Sequence, residues 1–152
     1  MLESVAKLVH QHPGYSIRFT GHSLGAALAT LTVLDVDELV KPKNLELITF
    51  GSPRVGNRDF TIYFNSLFSG RSFRVVHDRD MVAHLPPRLV GYNHIAAEVW
   101  ETEEGLTLCD SEDDAEESSS CSNSLTPFEW TTDDHLFYLG LQIAGESRAA
   151  AQ

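Results

Sequence analysis

Residues 15–25 read Tyr15-Ser16-Ile17-Arg18-Phe19-Thr20-Gly21-His22-Ser23-Leu24-Gly25, and the fold can be read outward from them. Tyr15, Ile17 and Phe19 alternate with Ser16, Arg18 and Thr20, the period-two pattern of a strand. After Ser23 the period lengthens, with Leu24, Ala27, Leu28, Leu31 and Leu34 at helical spacing. A strand that passes straight into a helix at a Gly-x-Ser-x-Gly string bends sharply and lifts the serine hydroxyl clear of the sheet. In so tight a reversal, a side chain at Gly21 or Gly25 is expected to collide with neighbouring backbone. Ala26, Ala27 and Ala29 would let the helix lie close to the sheet.

Working outward, Val5, Leu8 and Val9 share a helical face that His12-Pro13-Gly14 terminates. The helix after Ser23 should end near Leu39 or Val40. Leu45 to Phe50 reads as a second strand stopped by Gly51-Ser52-Pro53, Arg54 to Asn57 as a loop, and Asp59 to Phe68 as a helix. Phe73 to His77 reads as a third strand ending at Asp78-Arg79-Asp80. Ile95 to Glu101 reads as a fourth, with Leu106 to Cys109 pairing to it. Asp134 to Ile143 is expected to form a closing helix, and residues 145–152 a frayed tail. The alternation predicts one α/β domain over residues 1–152, a mostly parallel sheet with helices on both faces. Chemistry in such sheets gathers at the carboxyl ends of the strands.

The chain has 152 residues and a formal net charge of −11, which repels phosphate backbones and argues against nucleic-acid partners. No apolar run approaches the ~18 residues of a membrane span. The opening Met1-Leu2-Glu3-Ser4 lacks the basic and apolar regions of a signal peptide. Asp110 to Glu117 is an acidic run that reads as a solvated loop; it lacks the Gly-containing spacing of a calcium loop, so no metal is expected. Cys109 and Cys121 flank this loop, and spacing alone leaves them as free thiols or as a bridge.

A serine hydroxyl attacks well only when a base takes its proton and a carboxylate orients that base. The candidate bases after Ser23 are His77, His84, His94 and His135. His77 precedes the acid, against the order Ser, acid, His along the chain. His84 and His94 read as hydrogen-bonded structural histidines. His135, after the polar loop Thr131-Thr132-Asp133-Asp134, suits the base best. For the acid, Asp78 and Asp80 compete after the third strand, and Asp59 and Asp110 stay open.

Together these strings resemble the class 3 (fungal-type) lipases, a family that includes feruloyl esterases. The matching stretches are Thr20 to Ala29, Thr49-Phe50-Gly51-Ser52-Pro53-Arg54-Val55-Gly56-Asn57, Asp78 to Pro87, Gly91-Tyr92-Asn93-His94, and Asp134-His135-Leu136-Phe137-Tyr138. The resemblance implies an α/β-hydrolase fold with Ser23 as nucleophile, Asp80 as acid and His135 as base. It implies Leu24 N–H as an oxyanion donor, Gly21, His22 and Gly25 as the nucleophile elbow, and a Cys109–Cys121 disulfide in a secreted protein. Ala83 stands where the family usually has Pro, and Ala96 and Ala97 where Gly is common.

The expected function is carboxylic-ester hydrolysis through an acyl-enzyme, most nearly that of a triacylglycerol lipase, without cofactor or metal. The substrate would be an ester or lipid, met at an oil–water interface. The alternatives are a feruloyl or short-acyl esterase, or a truncated fragment with little or no activity. The last arises because the resemblance covers the C-terminal half or more of the family domain, leaving out its first strands, its lid and a second oxyanion donor. Losing one such donor typically costs ~10²–10³ in rate.

Overall fold

The computed structural model describes residues 2–95, 97–109 and 117–143. Helix α1 (Leu2–Gln11) leads into strand β1 (Ile17–His22), helix α2 (Leu24–Leu39) and strand β2 (Leu45–Phe50). A short β3 (Gly56–Asn57) precedes α3 (Arg58–Phe68), where Asn57 caps the helix by accepting the Phe60 N–H. Then follow β4 (Ser72–His77), β5 (Tyr92–Asn93), β6 (Glu98–Thr102) and β7 (Gly105–Cys109). The main sheet has the order β1-β2-β4-β6-β7, parallel throughout except for β7, which runs antiparallel to β6.

One core holds the helices to the sheet. Ala29, Val33 and Val36 of α2 meet Leu45 and Leu47 of β2, Phe64 and Phe68 of α3, and Ile95; Leu2 and Val5 of α1 and Ile17 and Phe19 of β1 pack on its edge. The parallel register places Ile17 beside Leu45 and Phe19 beside Leu47, so the odd residues of both strands face this core. All three α-helices thus share one core. The alternate residues Glu46, Ile48 and Phe50, on the opposite face, are only half-buried.

Helix α2 faces the sheet with its small residues, and one of the two glycine expectations is corrected. Along α2 the buried positions are Ala26, Ala29, Thr30, Val33 and Val36, whereas Leu24, Leu28 and Leu31 form an exposed apolar stripe. Small residues are on the inside because the helix lies hard against β1. A Cβ on Gly21 would stand 2.3 Å from the Gly25 carbonyl oxygen, which no side chain tolerates. A Cβ on Gly25 would meet nothing within 4 Å among the described residues, so the expected collision there is absent.

The closing helix is also absent. Asp134–Leu136 is a single 3₁₀ turn, followed by the hairpin β8 (Phe137–Tyr138) and β9 (Leu141–Gln142). Leu139 (φ 50°) and Gly140 (φ 78°) both take positive φ, the conformation of a two-residue hairpin loop. The Glu101 carboxylate accepts the Leu139 N–H at 2.9 Å and so holds the turn to β6. Ala96, residues 110–116 of the acidic run and the expected frayed tail lie outside the described residues. Ala83 is buried in the 3₁₀ turn Val82–His84 and Ala97 is half-buried. Cys109 and Cys121 form a disulfide across a 12-residue separation, worth about 3 kcal/mol by restriction of the unfolded chain.

Candidate active site

Ser23 sits at the carboxyl end of β1, where its amide N–H bonds to the Phe50 carbonyl at 3.0 Å. The backbone turns there with φ 58° and ψ −127°, a strained conformation for a residue with a Cβ. Extended strand and helix meet at this one residue, so its hydroxyl stands on the corner. Leu24 begins α2, so no preceding helical carbonyl stands where its amide N–H could reach it, whereas the Ala26 and Ala27 amides bond to Ser23 O.

Asp80 follows β4 and His135 lies in the Asp134–Leu136 turn, yet the two loops are tied together. The Thr131 N–H donates to Arg79 O at 2.8 Å and the Met81 N–H to Thr131 O at 2.9 Å. His135 Nε2 accepts from Ser23 Oγ at 2.8 Å, and Nδ1–H donates to Asp80 Oδ2 at 2.9 Å. Asp80 is completely buried. Its carboxylate also accepts the Val82 N–H at 2.7 Å and the Tyr138 hydroxyl. Burial, then the neighbouring Asp80 charge, pushes the Tyr138 phenol well above its ordinary range, so it stays a donor. Gly51 makes room for the pair: a Cβ there would fall 2.7 Å from Asp80 Oδ2 and 3.0 Å from His135 Nδ1.

Of the candidate acids among the described residues, only Asp80 reaches an imidazole this way. Asp78 lies 3.7 Å from Arg79 Nε, Asp59 is in the first turn of α3, and Asp110 lies outside the described residues. His77 Nδ1 is 3.2 Å from Glu101 Oε2. His84 and His94 are buried on backbone carbonyls, His84 between Asp80 O and Ser122 O and His94 on Ala83 O. Burial and the Arg74 charge hold the His94 ring well below its ordinary value, and therefore neutral.

The sequence reading missed three partners. Tyr138 and Gly51 were noted only within motifs or as a strand stop, and nothing local showed their contacts with Asp80. Glu117 closes the run expected to be a solvated loop, yet its side chain is 3% exposed and pairs with Arg54, itself 3% exposed, at 2.7 Å. Arg54 in turn donates to the His84 and Pro86 carbonyls, bracing the segment after Asp80. Glu98, Cys109 and Cys121 bring a carboxylate and two sulfurs together, but both sulfurs are spent in the disulfide and offer no thiolate to a metal.

Residues 1–90 match the family model described as Lipase (class 3). The chain belongs to this family. Its class 3 relatives include the "Lipase" of Rhizomucor miehei, 40% identical over 148 residues, covering 93% of this chain and 39% of the relative. The "Secreted mono- and diacylglycerol lipase A" of Penicillium cyclopium is 37% identical over 102 residues, covering 67% of this chain and 32% of the relative. A solved structure described as "A serine protease triad forms the catalytic centre of a triacylglycerol lipase" superposes with a TM-score of 0.85 at 38% identity, covering 94% of this chain and 54% of that one. The fold is therefore that of the α/β-hydrolase lipases. This class 3 lipase chain spans about a third to a half of the length of the relatives it matches.

Proposed function

We propose that the chain carries the chemical machinery of a carboxylic-ester hydrolase acting on acylglycerols. The observation that carries this reading is the continuous hydrogen-bond path from the Ser23 hydroxyl through His135 to the buried Asp80 carboxylate. In the proposed reaction His135 takes the Ser23 proton as Oγ attacks the ester carbonyl. Asp80 stabilises the imidazolium and keeps Nδ1 protonated, and the proton then passes to the departing alcohol. Water, deprotonated by the same ring, releases the acyl group. The tetrahedral oxyanion would rest on the Leu24 N–H and on a second donor, expected from a segment corresponding to the part of the relatives that this chain does not span.

Acylglycerols are preferred because lipases are the named relatives and because Leu24, 70% exposed, stands beside Ser23 on an apolar stripe that suits an oily substrate. An extracellular setting is favoured by the Cys109–Cys121 disulfide, since such bonds persist in oxidising compartments, and by the secreted Penicillium relative. Among the described residues no helix is long and apolar enough to cross a membrane.

A fluorophosphonate probe is expected to modify Ser23, identified by peptide mass spectrometry, and the Ser23→Ala chain should take up none. Labelling that persists in the alanine variant removes Ser23 as nucleophile. Assaying the protein with triolein and methyl ferulate in parallel tests the substrate class. Turnover of the ferulate alone would replace the acylglycerol reading with that of a feruloyl esterase.

A further inference from the structure

The His135 carbonyl is left without an acceptor role inside its own turn. The Asp134–Leu136 turn is closed by Leu136 N–H to Asp133 O and Phe137 N–H to Asp134 O. In a continuing helix the amide four residues on would reach back to His135 O. That amide belongs to Leu139, which instead gives its N–H to Glu101. The chain has already turned into β8, so His135 O needs a donor from elsewhere.

His22 supplies it. Its Nε2 lies 2.8 Å from His135 O, a contact between residues 113 apart in sequence. A carbonyl can only accept, so His22 Nε2 carries the hydrogen and the ring is held as the Nε2–H tautomer. The same ring lies against the His135 imidazole, with centroids 4.4 Å apart and planes 30° apart, and meets the Tyr138 ring edge-on at 5.6 Å. His22 immediately precedes Ser23 on the end of β1. One residue therefore clamps the backbone and ring of the proposed base to the strand that carries the proposed nucleophile.

We infer that His22 is a positioning residue: its Nε2–H bond to the His135 carbonyl and its ring contact hold the His135 imidazole in line with Ser23 Oγ. This rests on the reading of Ser23 and His135 as nucleophile and base, and adds to it a side chain that acts through His135. A base displaced by about 1 Å loses roughly 10²-fold in rate, which sets the size of the effect.

The test compares His22→Phe, which keeps a flat ring without the donor, with His22→Gln, whose amide N–H can reach the Nε2 position. Fluorophosphonate labelling of Ser23 should slow about 10–100-fold in the Phe variant and return most of the way in the Gln variant. Proton NMR supplies a second readout, the downfield Nδ1–H resonance of His135 bonded to Asp80. It should broaden or vanish in His22→Phe and persist in His22→Gln. Equal losses in both variants, or wild-type labelling in His22→Phe, overturn the inference. A wild-type chain that does not label at Ser23 would instead defeat the functional reading, and the His135 resonance alone would then decide the positioning role. Nitrogen-labelled histidine spectra of the wild-type chain need no variant: His22 must appear as the Nε2–H tautomer, and the Nδ1–H tautomer refutes the bond.

Discussion

Asp80→Asn is expected to slow the acylation of Ser23 on the order of 10⁴-fold while leaving the chain folded. Shape is conserved, but hydrogen-bond direction is not. The Val82 N–H, 2.7 Å from Oδ1, fixes the amide oxygen of the asparagine on that side. The NH₂ group then occupies the Oδ2 position, the nearer of the two to His135 Nδ1 at 2.9 Å against 3.1 Å for Oδ1, and the one that meets the Tyr138 hydroxyl. A donor meeting Nδ1 forces the imidazole into the Nε2–H tautomer. Nε2 then presents a hydrogen to Ser23 Oγ and cannot take one. Because Asp80 is fully buried, water cannot repair the mismatch. Fluorophosphonate labelling kinetics measure the loss, with the melting temperature as a control for folding. A rate within tenfold of wild type would show that the carboxylate does not set the tautomer.

Glu117→Gln should destabilise the fold by about 3–5 kcal/mol, the usual cost of leaving one charge of a buried pair uncompensated. Both side chains of the Arg54–Glu117 pair are 3% exposed, and the contact is bidentate: Nε donates to Oε1 at 2.8 Å and Nη2 to Oε2 at 2.7 Å. Glu117 also accepts the His94 N–H at 3.1 Å. Glutamine keeps one acceptor but turns an NH₂ toward a guanidinium that has no water to share. Urea unfolding of the two chains measures the difference, and a loss below 1 kcal/mol would contradict the argument.

The same pair sets a dependence on pH. Burial pushes the Glu117 carboxyl up, but the Arg54 hydrogen bonds and the His94, Arg54 and Arg74 charges outweigh it and bring it from 4.5 down to about 2. Between those values the unfolded chain binds a proton that the folded chain does not, so stability falls as pH drops through that window. His94 works in the same direction. Its folded ring takes a proton only at a lower pH, whereas the unfolded ring takes one below 6.5, so stability begins to fall there. Melting temperature should therefore decline below pH 6.5, and more steeply between 4.5 and about 2. In Glu117→Gln the steeper limb should flatten.

How much could be read in advance depended on how far apart the interacting residues lie. Tyr15 to Thr20 alternates so plainly, and Leu45 to Phe50 is so sharply stopped by Gly51-Ser52-Pro53, that both strands emerge within a residue or two of the observed bounds. The elbow at Ser23 is equally legible, because strand, glycine and helix are adjacent in sequence. Periodicity and turn chemistry left the choice between Asp78 and Asp80 open, and the family resemblance alone pointed to Asp80. Two residues apart on one loop, they differ only in where the backbone sends them: Asp78, at φ 36°, ends beside Arg79, and Asp80 ends beneath Gly51. Residues 134–143 misled for a related reason. Their apolar spacing suits a helix, but Gly140 and a Glu101 carboxylate 38 residues away stabilise a hairpin instead.

By itself, then, the sequence determined the parallel α/β framework, the serine corner and the short set of side chains that could serve it, because periodicity, turn chemistry and motif order act over a few residues. Tertiary structure alone decided how the Asp80 carboxylate meets the imidazole, that Glu117 leaves solvent for Arg54, and that His22 holds the His135 backbone. Each of those is a directional contact between groups 55 to 113 residues apart. Such contacts depend on atomic placement to within an ångström, and no local pattern encodes that.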